Sequence, residues 1–335
     1  MSTIRPVASS LFVKTVLCVA TLLTVALSGC SKLEVKLGTR VEIAKLPVTA
    51  MDAHLQGDPG VAPGERTPLV VTFSEPDGTV LSTEGAGKGK VLWKDLSVSA
   101  TLVSVSKKGA VSLRHDPRAS DGKIGHLTIT VPSHPGLHAD LDVPVRYDYA
   151  FVARYSGSDG TAGMDGTNGT DGSPGSMGSF DPSNPSAGGN GGDGGNGGDG
   201  GNGTDGSDGP NVQVMLRLRS QNPALLQASV TASGSRQRYY LVDPNGGSLT
   251  VSSVGGSGGA AGKGGRGGSG GSGGAGMPPG SNGSDGLAGR DGMAGSDGRP
   301  GRITVTYDPS AKPFLSALHV PAGATMQESS VPALW

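Results

Sequence analysis

The chain has 335 residues, of which 60 are glycine, and 43 of those glycines fall in two windows, 157–209 and 255–301. Charged residues are 16% with a formal net charge of −1, and aromatics are 4%, so there is neither the basic stripe expected of a nucleic-acid partner nor a strongly acidic surface. Glycine at roughly 18%, against a usual ~7%, also excludes a single large enzyme core, because about 100 residues here offer almost no side chain to bury.

Residues 1–29 read as a signal peptide. Arg5 and Lys14 form a positive start without acids, and Thr15 to Ala26 is an apolar run of 12 residues. That is shorter than the roughly 20 residues of a membrane-spanning helix and fits a signal h-region. The run is followed by Leu27-Ser28-Gly29-Cys30. These residues resemble the lipobox of bacterial lipoproteins. The resemblance implies recognition of Leu27, Ser28 and Gly29 by a signal peptidase, cleavage before Cys30, and acylation of Cys30, whose soft thiol forms the thioether to lipid. Cys18 leaves with the signal, so Cys30 is the one thiol expected in the mature chain and no intramolecular disulfide can form. Several acyl chains attach a protein stably to a membrane. Ser31 after the cysteine implies, by the same resemblance, the outer membrane, with the protein on its periplasmic face or at the cell surface.

Residues 30–47 are expected to be a polar tether whose alternating Leu33, Val35, Leu37, Val41 and Ile43 could make a first strand. Residues 48–150 read as a β domain. Leu69 to Phe73 is a strand, Asp77-Gly78 is a two-residue hairpin turn, and Thr79 to Leu81 returns. Lys90 to Trp93 follows, and then Leu96 to Val105, with Leu96, Val98, Ala100 and Leu102 on one face. His126 to Val131 and Leu141 to Tyr147 complete the series. Short strands with turn signals every 8–12 residues suggest an immunoglobulin-like sandwich, with Trp93 as its central aromatic.

Residues 151–307 are expected to form a glycine-rich module. Every third residue is glycine from Gly157 to Gly178, and again from Gly188 to Gly209 after a break at Ser179–Ala187. The second run doubles most of its glycines, as does the run from Gly255 to Gly276, whereas Gly280 to Gly301 has one per triplet. Strands interleave: Val212, Val214, Leu216 and Leu218 alternate with polar residues, Tyr239 to Val242 and Leu249 to Val254 follow, and Ile303 to Tyr307 closes the module. A three-residue period belongs to the left-handed polyproline II geometry, which has no internal hydrogen bonds. Its amides must therefore bond sideways, and glycine is needed wherever a neighbouring backbone approaches.

A collagen triple helix and an intramolecular bundle of polyglycine II helices both meet these conditions. Collagen is proline-rich, yet Gly157–Gly178 has only Pro174 and Gly188–Gly209 has none. A second glycine per triplet has a purpose only where a second neighbour approaches, and interleaved strands favour a chain folded on itself. The bundle is the expected form, with doubled-glycine segments inside and single-glycine segments at the edges, their Asp, Asn, Ser and Thr facing water. The expected fold class is thus all-β plus polyglycine II: an Ig-like β-sandwich followed by a glycine-rich PPII-helix bundle combined with strands. Residues 308–335 are expected to be a tail in which Trp335 either packs back or frays. Over roughly residues 188–307, on runs such as Gly188–Gly203 and Lys263 to Gly268, the chain resembles the glycine-rich N-terminal domain of Obg-type GTPases. Its overall layout resembles collagen-like glycine-rich bacterial lipoproteins.

Several motifs are matched without their context. Gly255 to Gly259 spells a nucleophile-elbow pattern, repeated around Ser269 and Ser272, but no helix can follow it. Gly-Gly-x-Gly-x-Asp at Gly188–Asp193, Gly194–Asp199 and Gly200–Asp205 opens like a calcium β-roll, yet its period is six rather than nine. Carboxylates six residues apart on one extended helix lie about 19 Å apart, so an ion would have to be shared between helices; a solvated face is the default. Lys263 lacks the glycine and Ser/Thr of a P-loop, and His126, His134 and His138 read as surface histidines around a turn. No catalytic residue, cofactor site or metal site is expected.

The chain is therefore expected to be a non-enzymatic, lipid-anchored envelope protein with a structural or adhesive role. Its expected partners are membrane lipid through acylated Cys30 and an envelope or matrix component, with no nucleic acid. A monomer is expected, with a collagen-like trimeric stalk as one alternative. Recognition of a glycan or envelope component through bundle edges and the Ser179–Ala187 loop is another. Ice binding is disfavoured by outward Asp and Asn.

Overall fold

The computed structural model describes residues 35, 37–57 and 59–335. Leu27, Ser28, Gly29 and Cys30 lie outside the described residues. The chain is mostly β and divides into two compact units, one ending at Tyr147 and one beginning at Asp148.

The first unit holds β1 (Ala50–Leu55), β2 (Arg66–Ser74), β3 (Val80–Ser82), β4 (Ser97–Thr101), β5 (Val103–Val105), β6 (Ala110–Leu113), β7 (Gly125–Thr130) and β8 (His138–Val143). One antiparallel sheet runs β1-β2-β6-β5, with β3 also on β2, and a second runs β4-β7-β8. Period-two patterning places Leu69, Val71 and Phe73 of β2 and Leu127 and Ile129 of β7 in one buried core with Val143. Burying each such side chain contributes about 1.5–3 kcal/mol. Trp93 belongs to this core, and its indole N–H donates to the Glu84 carbonyl at 3.2 Å. Gly109 lies beneath the ring: its φ is +75°, and a Cβ there would overlap the indole. A single strand from Leu96 to Val105 is not formed. Leu102 adopts φ +66°, which breaks the run into β4 and β5 and sends them to different sheets. Among the described residues before β1 no first strand forms; Ile43–Lys45 is a 3-10 turn and Val41 makes an isolated bridge to Val91.

The second unit has β9 (Ala150–Ser156), β10 (Val212–Gln221), β11 (Ala224–Ala232), β12 (Arg238–Val242), β13 (Ser248–Val254), β14 (Ile303–Tyr307), β15 (Leu318–His319) and β16 (Thr325–Glu328). One sheet is β12-β11-β10-β14-β16 and another, all parallel, is β15-β13-β9. The Phe151 ring of β9 lies 6.1 Å from that of Tyr240 on β12, so the two sheets share a core. Residues 308–335 belong to this unit rather than forming a tail. Leu318–His319 pairs with β13, Thr325–Glu328 pairs with β14, Val331 is buried, and Trp335 packs edge-on to Tyr239 at 5.6 Å.

Four glycine-rich segments, with neither helix nor strand pairing, leave these sheets. We number them rod 1 (157–178), rod 2 (188–209), rod 3 (255–276) and rod 4 (280–301). Rod 1 continues β9 and rod 3 continues β13, which already pair in parallel; rod 2 leads into β10 and rod 4 into β14, also a parallel pair. The pairing passes from strand to rod without a break. Gly157 N–H donates to Val254 O and the contact then repeats every three residues, up to Gly178 with Ala275 O. In the other pair it runs from Gly188 with Pro278 O to Gly209 with Arg299 O and on to Val212 with Arg302 O.

Candidate functional surfaces of the glycine bundle

Lateral backbone bonds tie the four rods together. Every third N–H of rod 1 donates to rod 3 (2.7–2.9 Å) and every third of rod 2 to rod 4 (2.8–2.9 Å), between parallel neighbours. Between antiparallel neighbours, rod 2 donates to rod 1 (2.7–2.9 Å), rod 3 to rod 2 (2.8–3.0 Å) and rod 4 to rod 3 (2.8–2.9 Å). Rods 2 and 3 therefore have three neighbours each, and rods 1 and 4 have two. The doubled glycines lie where the extra neighbour is. A Cβ on Gly265 would meet the Thr167 carbonyl of rod 1, and one on the adjacent Gly264 would meet the Gly289 carbonyl of rod 4.

The Asp and Asn side chains of the rods are exposed, but they are not merely a solvated face. Each carboxylate or amide oxygen at the third position of a triplet accepts a backbone N–H from the adjacent rod. In rod 2 the series Asn190, Asp193, Asn196, Asp199, Asn202, Asp205 and Asp208, continued by Asn211 beyond it, accepts from rod 4 and its exit at 2.6–3.0 Å. Asp159, Asp165, Asn168 and Asp171 of rod 1 accept from rod 3 at 2.7–2.9 Å. Asn282, Asp285, Asp291 and Asp297 of rod 4 do the same from the other side. In three-residue geometry one N–H per triplet faces each neighbour, and a backbone carbonyl cannot answer all of them; a short side-chain oxygen supplies the missing acceptor.

Several of the sequence motifs lie within this ladder. Asp193, Asp199 and Asp205, the carboxylates of the β-roll-like repeats, each hold an N–H of rod 4. Ser257, at the centre of the elbow-like pattern, lies in rod 3 with its N–H on Asp159 and its flanking glycines bonded to rods 2 and 4. Lys263 and Arg266 likewise sit on rod 3, their N–H groups on Asp165 and Asn168. Among the described residues no group of three or more His, Cys, Asp or Glu is placed to hold a metal ion.

His126 does find carboxylates: its Nδ1 lies 2.9 Å from Asp142 and its Nε2 3.5 Å from Asp140. The hydrogen bond to Asp142 raises the imidazole above its ordinary pKa, while a hydrogen bond from Thr128 lowers that of Asp140. His134 instead packs its Nε2 at 3.1 Å from the Leu46 carbonyl. These histidines do not converge on one site.

The Ser179–Ala187 loop is internally tied. Asp181 accepts from the N–H and hydroxyl of Ser183, which lowers its pKa, and Ser186 caps the Ser179 N–H. Phe180 of the same loop remains exposed. On the outer side of rods 1 and 2, Ser207 and Thr204 hydroxyls accept the N–H groups of Ser158 and Thr161. Further along, rod 2 presents glycine at this position and Thr167, Thr170 and Ser173 overhang it.

A further feature lies where rods 2 and 4 enter the sheet. Asp208, Asn211, Ser253, Arg299, Arg302 and Pro321 are among the residues lining a cavity of about 830 Å³. The signal for it was the triplet phase: Arg290, Arg299 and Arg302 are separated by multiples of three, so they occupy one row of rod 4 and its exit.

No helix among the described residues is long and apolar enough to cross a membrane. No protein-family model, curated protein or solved structure matches the chain.

Proposed function

We propose that this chain is a lipid-anchored cell-envelope protein, attached through acylated Cys30, whose role is structural or adhesive rather than enzymatic. In this reading the first unit is an immunoglobulin-like spacer and the four rods are polyglycine II helices. The observation that carries it is the lateral ladder: amides that have no partner within their own rod are bonded every three residues to rods of the same chain. At about 3.1 Å per residue, such rods reach roughly 65–70 Å. Their stiffness comes from many short cross-links rather than from an apolar core, which suits display at a distance from a surface. Because the donors of this ladder find their acceptors within one chain, it requires no second or third copy, and this favours the monomer over a collagen-like stalk.

Membrane fractionation of cells carrying the wild-type chain or Cys30→Ser tests the anchor. The wild type should sediment with the outer membrane and the variant should be released; retention of the variant would remove the lipid anchor from the proposal. Sedimentation of the released chain should give a monomer mass. A trimer that melts with the loss of a collagen-type circular dichroism band would replace the bundle by a triple helix.

A further inference from the structure

The cavity at the strand end of the bundle carries chemistry that a scaffold role does not use. Its volume of about 830 Å³ lies within the ~300–1,000 Å³ of ordinary small-ligand sites. Arg299 and Arg302 line it three residues apart, so in extended backbone their attachment points are about 9 Å from one another. Their main-chain N–H groups are fixed on Asp208 and Asn211 at 2.6 and 2.9 Å. Neither guanidinium forms a salt bridge with a carboxylate among the described residues. Two planar cationic forks on anchored backbones are suited to carboxylates, which arginine binds in bidentate fashion.

The remaining lining narrows the ligand. Asn211 uses its amide oxygen on Arg302 and leaves its NH₂ to donate. Asp208 receives the Arg299 N–H on one oxygen and leaves the other to accept. Pro300 and Pro321 are apolar members of the same lining. A cavity that offers two cations, one anionic acceptor, an amide donor and apolar faces fits a molecule with separated carboxylates, many hydroxyls and C–H surfaces. The Asp208 carboxylate opposes a dianion such as phosphate more strongly than singly charged carboxylates.

We propose that this cavity binds an acidic oligosaccharide, specifically an oligouronate, with Arg299 and Arg302 each taking one carboxylate and with Asp208 and Asn211 bonding sugar hydroxyls. The proposal leans on the envelope reading only for where such a polymer would be met; its chemistry is independent of the anchor.

Titration calorimetry of the full chain in detergent would test it, with three probes at fixed salt: an oligogalacturonate, its neutral methyl ester and inorganic phosphate. The oligogalacturonate should bind, and both the ester and phosphate should bind at least about tenfold more weakly, the loss expected when a charge-assisted pair is removed. Arg299→Ala and Arg302→Ala should each weaken the oligogalacturonate about tenfold or more, and Arg299→Gln and Arg302→Gln should repeat the effect with most of the side-chain volume retained. Arg290→Ala removes the same charge from the same row outside the cavity and should leave the affinity unchanged. Absence of oligogalacturonate binding, equal binding of the ester or of phosphate, intact affinity in the cavity variants, or an equal loss in Arg290→Ala would each overturn the assignment. Membrane release experiments read a different property, so failure of the anchor and failure of the site are distinguishable.

Discussion

Asn202 shows how much of this molecule rests on single oxygen atoms. It is exposed, yet its amide oxygen accepts the Met293 N–H at 2.8 Å. Asn202→Ala removes the acceptor and is expected to cost about 1 kcal/mol, the usual net value of one hydrogen bond, whereas Asn202→Asp keeps an oxygen in place and should cost little. Urea unfolding of both variants checks this; equal losses would show that the side chain acts through something other than its oxygen. Glycines divide in the same manner. On Gly265 a methyl group would land on a backbone carbonyl of rod 1, but on Gly198 it would meet the Thr167 hydroxyl at 3.1 Å and the Thr167 backbone nitrogen at 3.2 Å, contacts that a shift of a few tenths of an ångström relieves. Gly265→Ala is therefore expected to destabilise by about 3 kcal/mol or more, and Gly198→Ala by less than about 1 kcal/mol. Similar melts for the two would mean that the glycines serve chain flexibility instead of close approach. The glycine phase was legible in the sequence because it is strictly periodic. The role of the Asp and Asn residues was not, because a side chain that is exposed and polar has the same local signature whether it meets water or a neighbouring amide.

At the scale of elements, rod 2 alternates Asn and Asp over Asn190, Asp193, Asn196, Asp199 and Asn202. Either residue can supply the acceptor, so the alternation keeps the hydrogen bonds while diluting like charges along one row. Replacing Asn190, Asn196 and Asn202 together by Asp should leave the ladder intact but lower the melting temperature at low salt, with recovery as salt screens the row; a salt-independent loss would contradict this account. The β7–β8 pair offers a second test. His126 has its pKa raised by Asp142, so its stabilising contribution is complete below the ordinary histidine pKa and is lost as pH rises through the elevated one. Asp140, whose pKa is lowered, contributes above the ordinary carboxylate value and loses this as pH falls through the depressed one. Amide protection in β7 and β8, corrected for the intrinsic pH dependence of exchange, should thus rise on going from pH 8 to pH 5, and His126→Asn should abolish that rise. Strands β2, β7, β10, β13 and β14 were legible from alternation. The split at Leu102 was not, since a positive φ in a leucine leaves no compositional mark. The parallel pairing of β9 with β13 was equally hidden, because it joins residues about a hundred positions apart.

For the whole molecule, the number of neighbours sets an order of protection. Rods 2 and 3 are each bonded to three others, and rods 1 and 4 to two. Hydrogen exchange should be slowest at amides such as Gly198, Gly262 and Gly265, and faster at the outer N–H groups of Thr167 and Thr170; uniform random-coil exchange across all four segments would mean that the rods do not persist in solution. The continuous pairing from strand into rod has a further consequence. Since β9 with β13 fix the phase where rods 1 and 3 begin and β10 with β14 fix it where rods 2 and 4 end, inserting or deleting one residue in any rod shifts every glycine farther from the strands off its neighbour, much as a frameshift spoils a message. Length can change only in whole triplets, and only if all four rods change together. A longer or shorter version of this mast must therefore arise by concerted steps, and its height is quantised.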